Sequence, residues 1–99
     1  MTNDADKPNQ HQKITLTICN KLGLHARASA KLAACTSAFD CDISLDKEGV
    51  AINGKSILGI MMLAAAKGTE LTITVDGHDA AAALNAIQQL VENRFGEDE

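Results

Sequence analysis

The 99-residue chain predicts an α+β domain in the order βαββαβα, with a four-stranded antiparallel sheet covered on one face by three helices. Three observations carry that expectation. Segments 13–19, 41–46 and 70–76 alternate apolar and polar residues with the period of a half-buried strand. Between them, apolar residues recur at helical spacing. The length suits one hydrophobic core, which usually serves about 100–150 residues. Strands with one apolar face and helices with one apolar stripe close most simply as two layers, leaving the Thr-rich strand faces to water.

The first dozen residues, MTNDADKPNQHQ, are polar and read as a flexible tail over 1–12, with His11 at its edge and of little functional weight. A single domain is expected over 13–95. KITLTIC (13–19) turns Ile14, Leu16 and Ile18 inward and Thr15 and Thr17 outward. Asn20, Lys21 and Gly23 make a turn. The next helix is expected from Ala26 to Ala38, with Ala28, Leu32, Cys35 and Phe39 as its apolar stripe. CDISLD (41–46) places Cys41, Ile43 and Leu45 inward, and KEG (47–49) turns the chain into VAIN (50–53) as a hairpin.

Ser56 is a good N-cap for a helix through ILGIMMLAAA (57–66), which Lys67 and Gly68 are expected to end. On it, Ile57, Ile60 and Ala64 are expected to face the sheet. ELTITVD (70–76) repeats the grammar of the first strand with Leu71, Ile73 and Val75 inward. Asp79 or His78 then caps a last helix buried through Ala80, Ala83, Leu84, Ile87, Leu90 and Val91. The ending GEDE (96–99) is read as an acidic, frayed tail.

Thirteen acidic against nine basic side chains give a formal charge of -4. That balance works against nucleic acid and against anionic membrane surfaces as partners. No Trp or Tyr is present to stack bases. Cys19, Cys35 and Cys41 are odd in number and lack CxxC spacing, so they read as reduced packing residues rather than a disulfide framework or zinc site. No apolar run approaches the ~20 residues of a membrane span, and the start lacks a hydrophobic signal core, so a cytoplasmic location is expected. Asp40, Asp42, Asp46 and Glu48 surround the hairpin without calcium-loop spacing. No metal and no cofactor is expected.

The chemistry concentrates in LGLHARASAKLAA (22–34). His25 adjoins the start of the first helix, where backbone N–H groups lack internal partners and the aligned peptides carry roughly half a positive charge. The amides of Ala26, Arg27 and Ala28 open beside the ring, and Arg27 adds a permanently charged planar fork. A neutral imidazole is a nucleophile at cellular pH. The site reads as a phosphoryl acceptor, although a His near an Arg is by itself more often a helix cap or a partly exposed loop residue. Small residues Ala26, Ala28, Ser29 and Ala30 leave the helix mouth open to another protein.

GLHARASAKLAA resembles the active-site segment of the HPr family of phosphocarrier proteins, in which Gly-Leu-His-x-Arg-Pro-Ala precedes a helix. The likeness spans residues 13–93 and includes GKS at 54–56 and KGT at 67–69. It implies an HPr-like open-faced two-layer sandwich and a carrier without independent turnover. By the same resemblance, His25 is phosphorylated on Nδ1 with Arg27 stabilising the phosphoryl group. Enzyme I would be the donor, itself charged from phosphoenolpyruvate, and a histidine on an enzyme IIA the acceptor. NKLGLHAR (20–27) and the ending FGEDE are more similar to the nitrogen-related branch, NPr, than to sugar-transport HPr. Ala28 stands where the family usually has proline, which puts the stiffness of the helix start in doubt.

Two further features follow from the resemblance. Ser56 aligns with a serine that a dedicated kinase phosphorylates in some HPr proteins, though capping is its simpler role. Leu58, Met61 and Met62 exceed what one buried stripe needs and match the family's partner-docking patch. A regulatory interaction module controlled through Ser56 is the alternative from another class. A ferredoxin-like metal- or ligand-binding domain trails, for want of a ligand set.

Overall fold

The computed structural model describes residues 10–99. Its elements run β1 (His11–Thr17), α1 (Ala26–Ser37), β2 (Asp42–Lys47), β3 (Val50–Asn53), α2 (Ile57–Met62), β4 (Glu70–Asp76) and α3 (Ala80–Glu92), closing with a 3₁₀ turn, Arg94–Gly96. The expected βαββαβα order and antiparallel sheet are present, with strand order β1-β4-β2-β3. β1 pairs with β4 through Ile14↔Ile73 and Leu16↔Leu71, and β4 pairs with β2 through Ile73↔Leu45 and Val75↔Ile43. These registers put the apolar residues of three strands in continuous rows on one face, because pairing slipped by one residue would turn every side chain over.

That face meets Ala28, Leu32 and Ala33 of α1, Ile60 of α2, and Ala80, Ala83, Leu84, Ile87 and Val91 of α3, all buried. On the opposite face Thr15 and Thr72 are cross-strand partners whose hydroxyls lie 3.3 Å apart. β1 begins at His11, so the last two residues of the expected tail belong to the sheet, and residues 1–9 lie outside the described residues. No helix among the described residues is long and apolar enough to cross a membrane.

The buried face of α1 is Ala28, Ser29, Leu32, Ala33 and Thr36, rotated from the expected stripe, with Cys35 and Phe39 only half-buried. Hydrogen bonding explains the rotation. Ser29 donates to the Leu24 carbonyl at 3.0 Å and Thr36 to the Gly54 carbonyl at 2.7 Å, so both hydroxyls enter the interior satisfied. Leu90 of α3 is likewise only half-buried. Asp79 precedes α3 but makes no side-chain cap. Its carboxylate instead accepts from the amides of Asp40 and Cys41 at 2.8 and 2.9 Å, tying the α1–β2 loop to the start of α3. The Asp40 bond in particular holds the Asp79 carboxyl below its usual range.

α2 ends four residues before the expected stop. Ala64 takes φ 50°, and Leu63 and Ala65 become buried while Ile57 and Ala64, expected to face the sheet, are exposed. Lys47 Nζ donates to the Leu63 carbonyl at 2.9 Å and takes up one acceptor at the helix end. Helix propensity in the Ala-rich run is a weak preference, and the bond from the Leu24 amide to the Ala65 carbonyl overrides it. All three cysteines are free thiols. Burial first, and then Asp79, pushes the Cys41 thiol up to about 11.

Ser56 caps α2 as expected, its Oγ accepting from the Gly59 amide at 3.0 Å. Ser56→Ala is expected to cost about 1 kcal/mol, read as a lower urea midpoint with an unchanged slope.

Candidate functional site

Gly23 sets the geometry of the site. It has φ 65°, and a Cβ there would lie 2.4 Å from the Ala65 carbonyl oxygen and 2.9 Å from the Ala66 Cα. Only glycine fits this left-handed, close approach without strain. The neighbouring Leu24 amide donates to that Ala65 carbonyl at 2.9 Å. The chain preceding α1 is thereby seated on the segment following α2, and Leu24, 5% exposed, anchors it in the core.

One residue later His25 stands at the N-cap of α1 in extended conformation, φ -73° and ψ -179°. Its carbonyl accepts the Ser29 amide at 2.9 Å, so the amides of Ala26, Arg27 and Ala28 lie ahead of the helical ladder. The His25 side chain makes no cap and is 30% exposed. It borders an open cleft of ≈ 660 Å³ together with Lys21, Leu22, Arg27 and Glu97. Arg27 is exposed, and no ion pair involves it among the described residues. The helix mouth therefore presents an imidazole, the first amides of α1 and an exposed guanidinium, which suit a phosphoryl group.

The sequence reading missed Glu97. Its Oε2 lies 2.6 Å from His25 Nε2, and Asn20 Nδ2 donates to its Oε1 at 3.0 Å. The expected acidic tail is folded back over the site. Phe95 is 1% exposed, Lys31 Nζ donates to its carbonyl at 2.7 Å, and the Lys21 amide donates to the Glu99 carbonyl at 2.6 Å. An aromatic residue in a chain with only two, set four places from its last residue, was the available signal that the ending is anchored. Bonds from Asn20 and then His25 hold the Glu97 carboxyl below its ordinary value of 4.5.

Leu58, Met61 and Met62 are 73%, 38% and 81% exposed on α2, which packs beside α1. Leu22, in the loop before α1, and Ile57, at the start of α2, are also exposed apolar residues, at 67% and 45%. Away from the site, His78 Nε2 lies 3.1 Å from Asp40 Oδ2, an exposed contact on the loop that Asp79 ties. His11 pairs loosely with Asp76 at 3.7 Å.

Comparison with known proteins places the chain. The family model described as the PTS HPr component phosphorylation site matches residues 12–93. The chain belongs to this family, the HPr phosphocarriers of the phosphotransferase system. A phosphocarrier protein HPr from Xylella fastidiosa (strain Temecula1) is 49% identical over 83 residues, covering 84% of this chain and 93% of the relative. A phosphocarrier protein NPr from Shewanella violacea is 46% identical over 82 residues, covering 83% and 90%. The crystal structure of HPr-C-His from Thermoanaerobacter tengcongensis superposes with a TM-score of 0.86 at 36% identity, covering 89% of this chain and 99% of that one.

Because the Glu97 carboxyl is depressed below 4.5 in the folded protein, its contribution to stability is complete above that value. It is lost as pH falls through the folded pKa. Urea unfolding of the protein and of Glu97→Gln across pH 7 to 3 is expected to show a stability difference that shrinks on acidification.

Proposed function

We propose that His25 accepts a phosphoryl group on Nδ1 from phosphorylated enzyme I and passes it to a histidine of an enzyme IIA. Arg27 swings onto the phosphoryl oxygens, and the amides of Ala26, Arg27 and Ala28 receive them. The observation that carries this reading is the place of the imidazole, partly exposed at the mouth of α1 and ahead of its hydrogen-bonded ladder. A positive helix terminus stabilises the anionic group once transferred. A nitrogen-linked phosphoryl group keeps a high transfer potential, so the carrier gives it up again and turns nothing over alone. Leu58, Met61 and Met62 form the apolar surface against which donor and acceptor dock in turn. A location in the cytoplasm suits both partners.

Within the family, NKLGLHAR and the FGEDE ending favour the nitrogen-related system. The second reading, a sugar-transport HPr, draws on relatives named HPr, one of them 49% identical. Ser56 is engaged as a cap, and its modification by a serine kinase is a secondary, regulatory role. The alternative of a module governed by Ser56 alone leaves the partly exposed His25 without a use.

Mixed with enzyme I and phosphoenolpyruvate, the protein is expected to gain a single acid-labile phosphoryl group, seen by intact mass. His25→Ala should abolish it, whereas full labelling of that variant would remove His25 from the role. Arg27→Ala should slow transfer about tenfold or more with the circular dichroism unchanged. Faster charging by a nitrogen-type than a sugar-type enzyme I is the expected ranking, and Ser56→Ala should still be charged.

A further inference from the structure

We propose that Glu97 is a positioning residue for phosphoryl transfer: its carboxylate holds the Nε2–H tautomer of His25, leaves the Nδ1 lone pair to attack, and neutralises the ring after attack. This inference rests on the reading of His25 as the acceptor and adds to it a residue contributed from the far end of the chain.

The geometry is that of a carboxylate–imidazole pair. A carboxylate accepts and does not donate, so the 2.6 Å contact between Glu97 Oε2 and His25 Nε2 requires the proton on Nε2. No hydrogen bond reaches Nδ1 among the described residues, and that nitrogen keeps its lone pair. A ring held in this way by a second group is the arrangement that sets tautomer and direction in nucleophilic and acid–base sites.

Glu97 is itself held in place. Asn20, fully buried, binds its other oxygen through Nδ2 and uses the same amide group to reach the Gly23 carbonyl at 2.8 Å. The turn that carries His25 and the carboxylate that orients it thus share one buried linker. On the other side, buried Phe95, the Lys31 bond to its carbonyl and the Glu97 amide donating to the Arg94 carbonyl at 2.9 Å fix the entry of the segment. The Glu97 side chain is 16% exposed, so water competes little for its oxygens.

In the step itself, the Nδ1 lone pair forms the new N–P bond as the donor's N–P bond breaks, and that bond's electron pair returns to the donor nitrogen. The proton stays on Nε2. His25 becomes a phosphoimidazolium whose positive ring lies against the Glu97 carboxylate, and the reverse events discharge it to the next acceptor.

Two variants separate the carboxylate's parts. Glu97→Gln keeps an acceptor oxygen for Nε2–H and loses the charge, while Glu97→Ala loses both. Imidazole ¹⁵N and ¹H NMR of the unphosphorylated protein is expected to show an Nε2–H proton in slow exchange in the native protein and in Glu97→Gln, and to lose it in Glu97→Ala. In steady-state transfer from phosphorylated enzyme I, Glu97→Ala should lower kcat roughly ten- to a hundredfold with KM for the donor within about twofold, and Glu97→Gln should fall between. Native kcat together with an intact Nε2–H signal in Glu97→Ala would overturn the proposal while leaving His25 as acceptor. A rise in KM alone would overturn it equally, since it would make Glu97 a docking residue. Labelling that survives His25→Ala sinks the acceptor reading itself and is scored separately.

Discussion

The approach of Gly23 to the Ala65–Ala66 backbone is the constraint from which the site is built. A carbonyl oxygen 2.4 Å from where a Cβ would stand leaves room for glycine alone. The bond that Leu24 makes across the gap joins two loops that belong to different helices. From it follow the direction in which α1 departs, the exposure of His25 at its mouth and the early end of α2. Ala64 adopts a left-handed conformation, and Ala65 is left both buried and free to accept. A longer α2 would carry the Ala65 carbonyl into its own ladder and deprive Leu24 of its partner.

A second closure completes the site from the other end of the chain. His25 and Glu97 are separated by 72 positions, and three successive residues with positive φ, Arg94, Phe95 and Gly96, turn the backbone toward the helix mouth. For Arg94 and Phe95 that conformation costs roughly 1–2 kcal/mol each. Burying the Phe95 ring returns about 1.5–3 kcal/mol. With the terms so nearly matched, the Lys31, Asn20 and Lys21 bonds decide whether the segment stays docked.

Electrostatically, the chain is acidic, with thirteen carboxylates against nine Lys and Arg. The cleft at the helix mouth is lined by both signs of charge, Lys21 and Arg27 with Glu97, Asp98 and Glu99, and Lys21 pairs with Glu99 at 3.6 Å, which leaves the Arg27 guanidinium and the first amides of α1 as the groups open to an anion. Glu97 stands on the Nε2 side of the ring, so its charge faces the nitrogen that keeps a proton. The exposed apolar residues on α2 add no charge of their own, and α2 packs beside the helix whose mouth carries the imidazole.

Local pattern was enough for the three alternating strands, the hairpin partner of β2, the Ser56 cap and the place of His25 before a helix, because each depends on residues within a few positions of one another. Family resemblance then suggested the role proposed for that histidine. What only the tertiary structure decided was non-local. The strand order, the inward turn of Ser29 and Thr36, the halt of α2 at Met62 and the return of Glu97 to His25 all depend on partners far away in sequence. A hydroxyl reads as surface until its acceptor is known, an alanine run reads as helix until a distant amide claims one of its carbonyls, and an acidic ending reads as solvated until the burial of Phe95 brings it home.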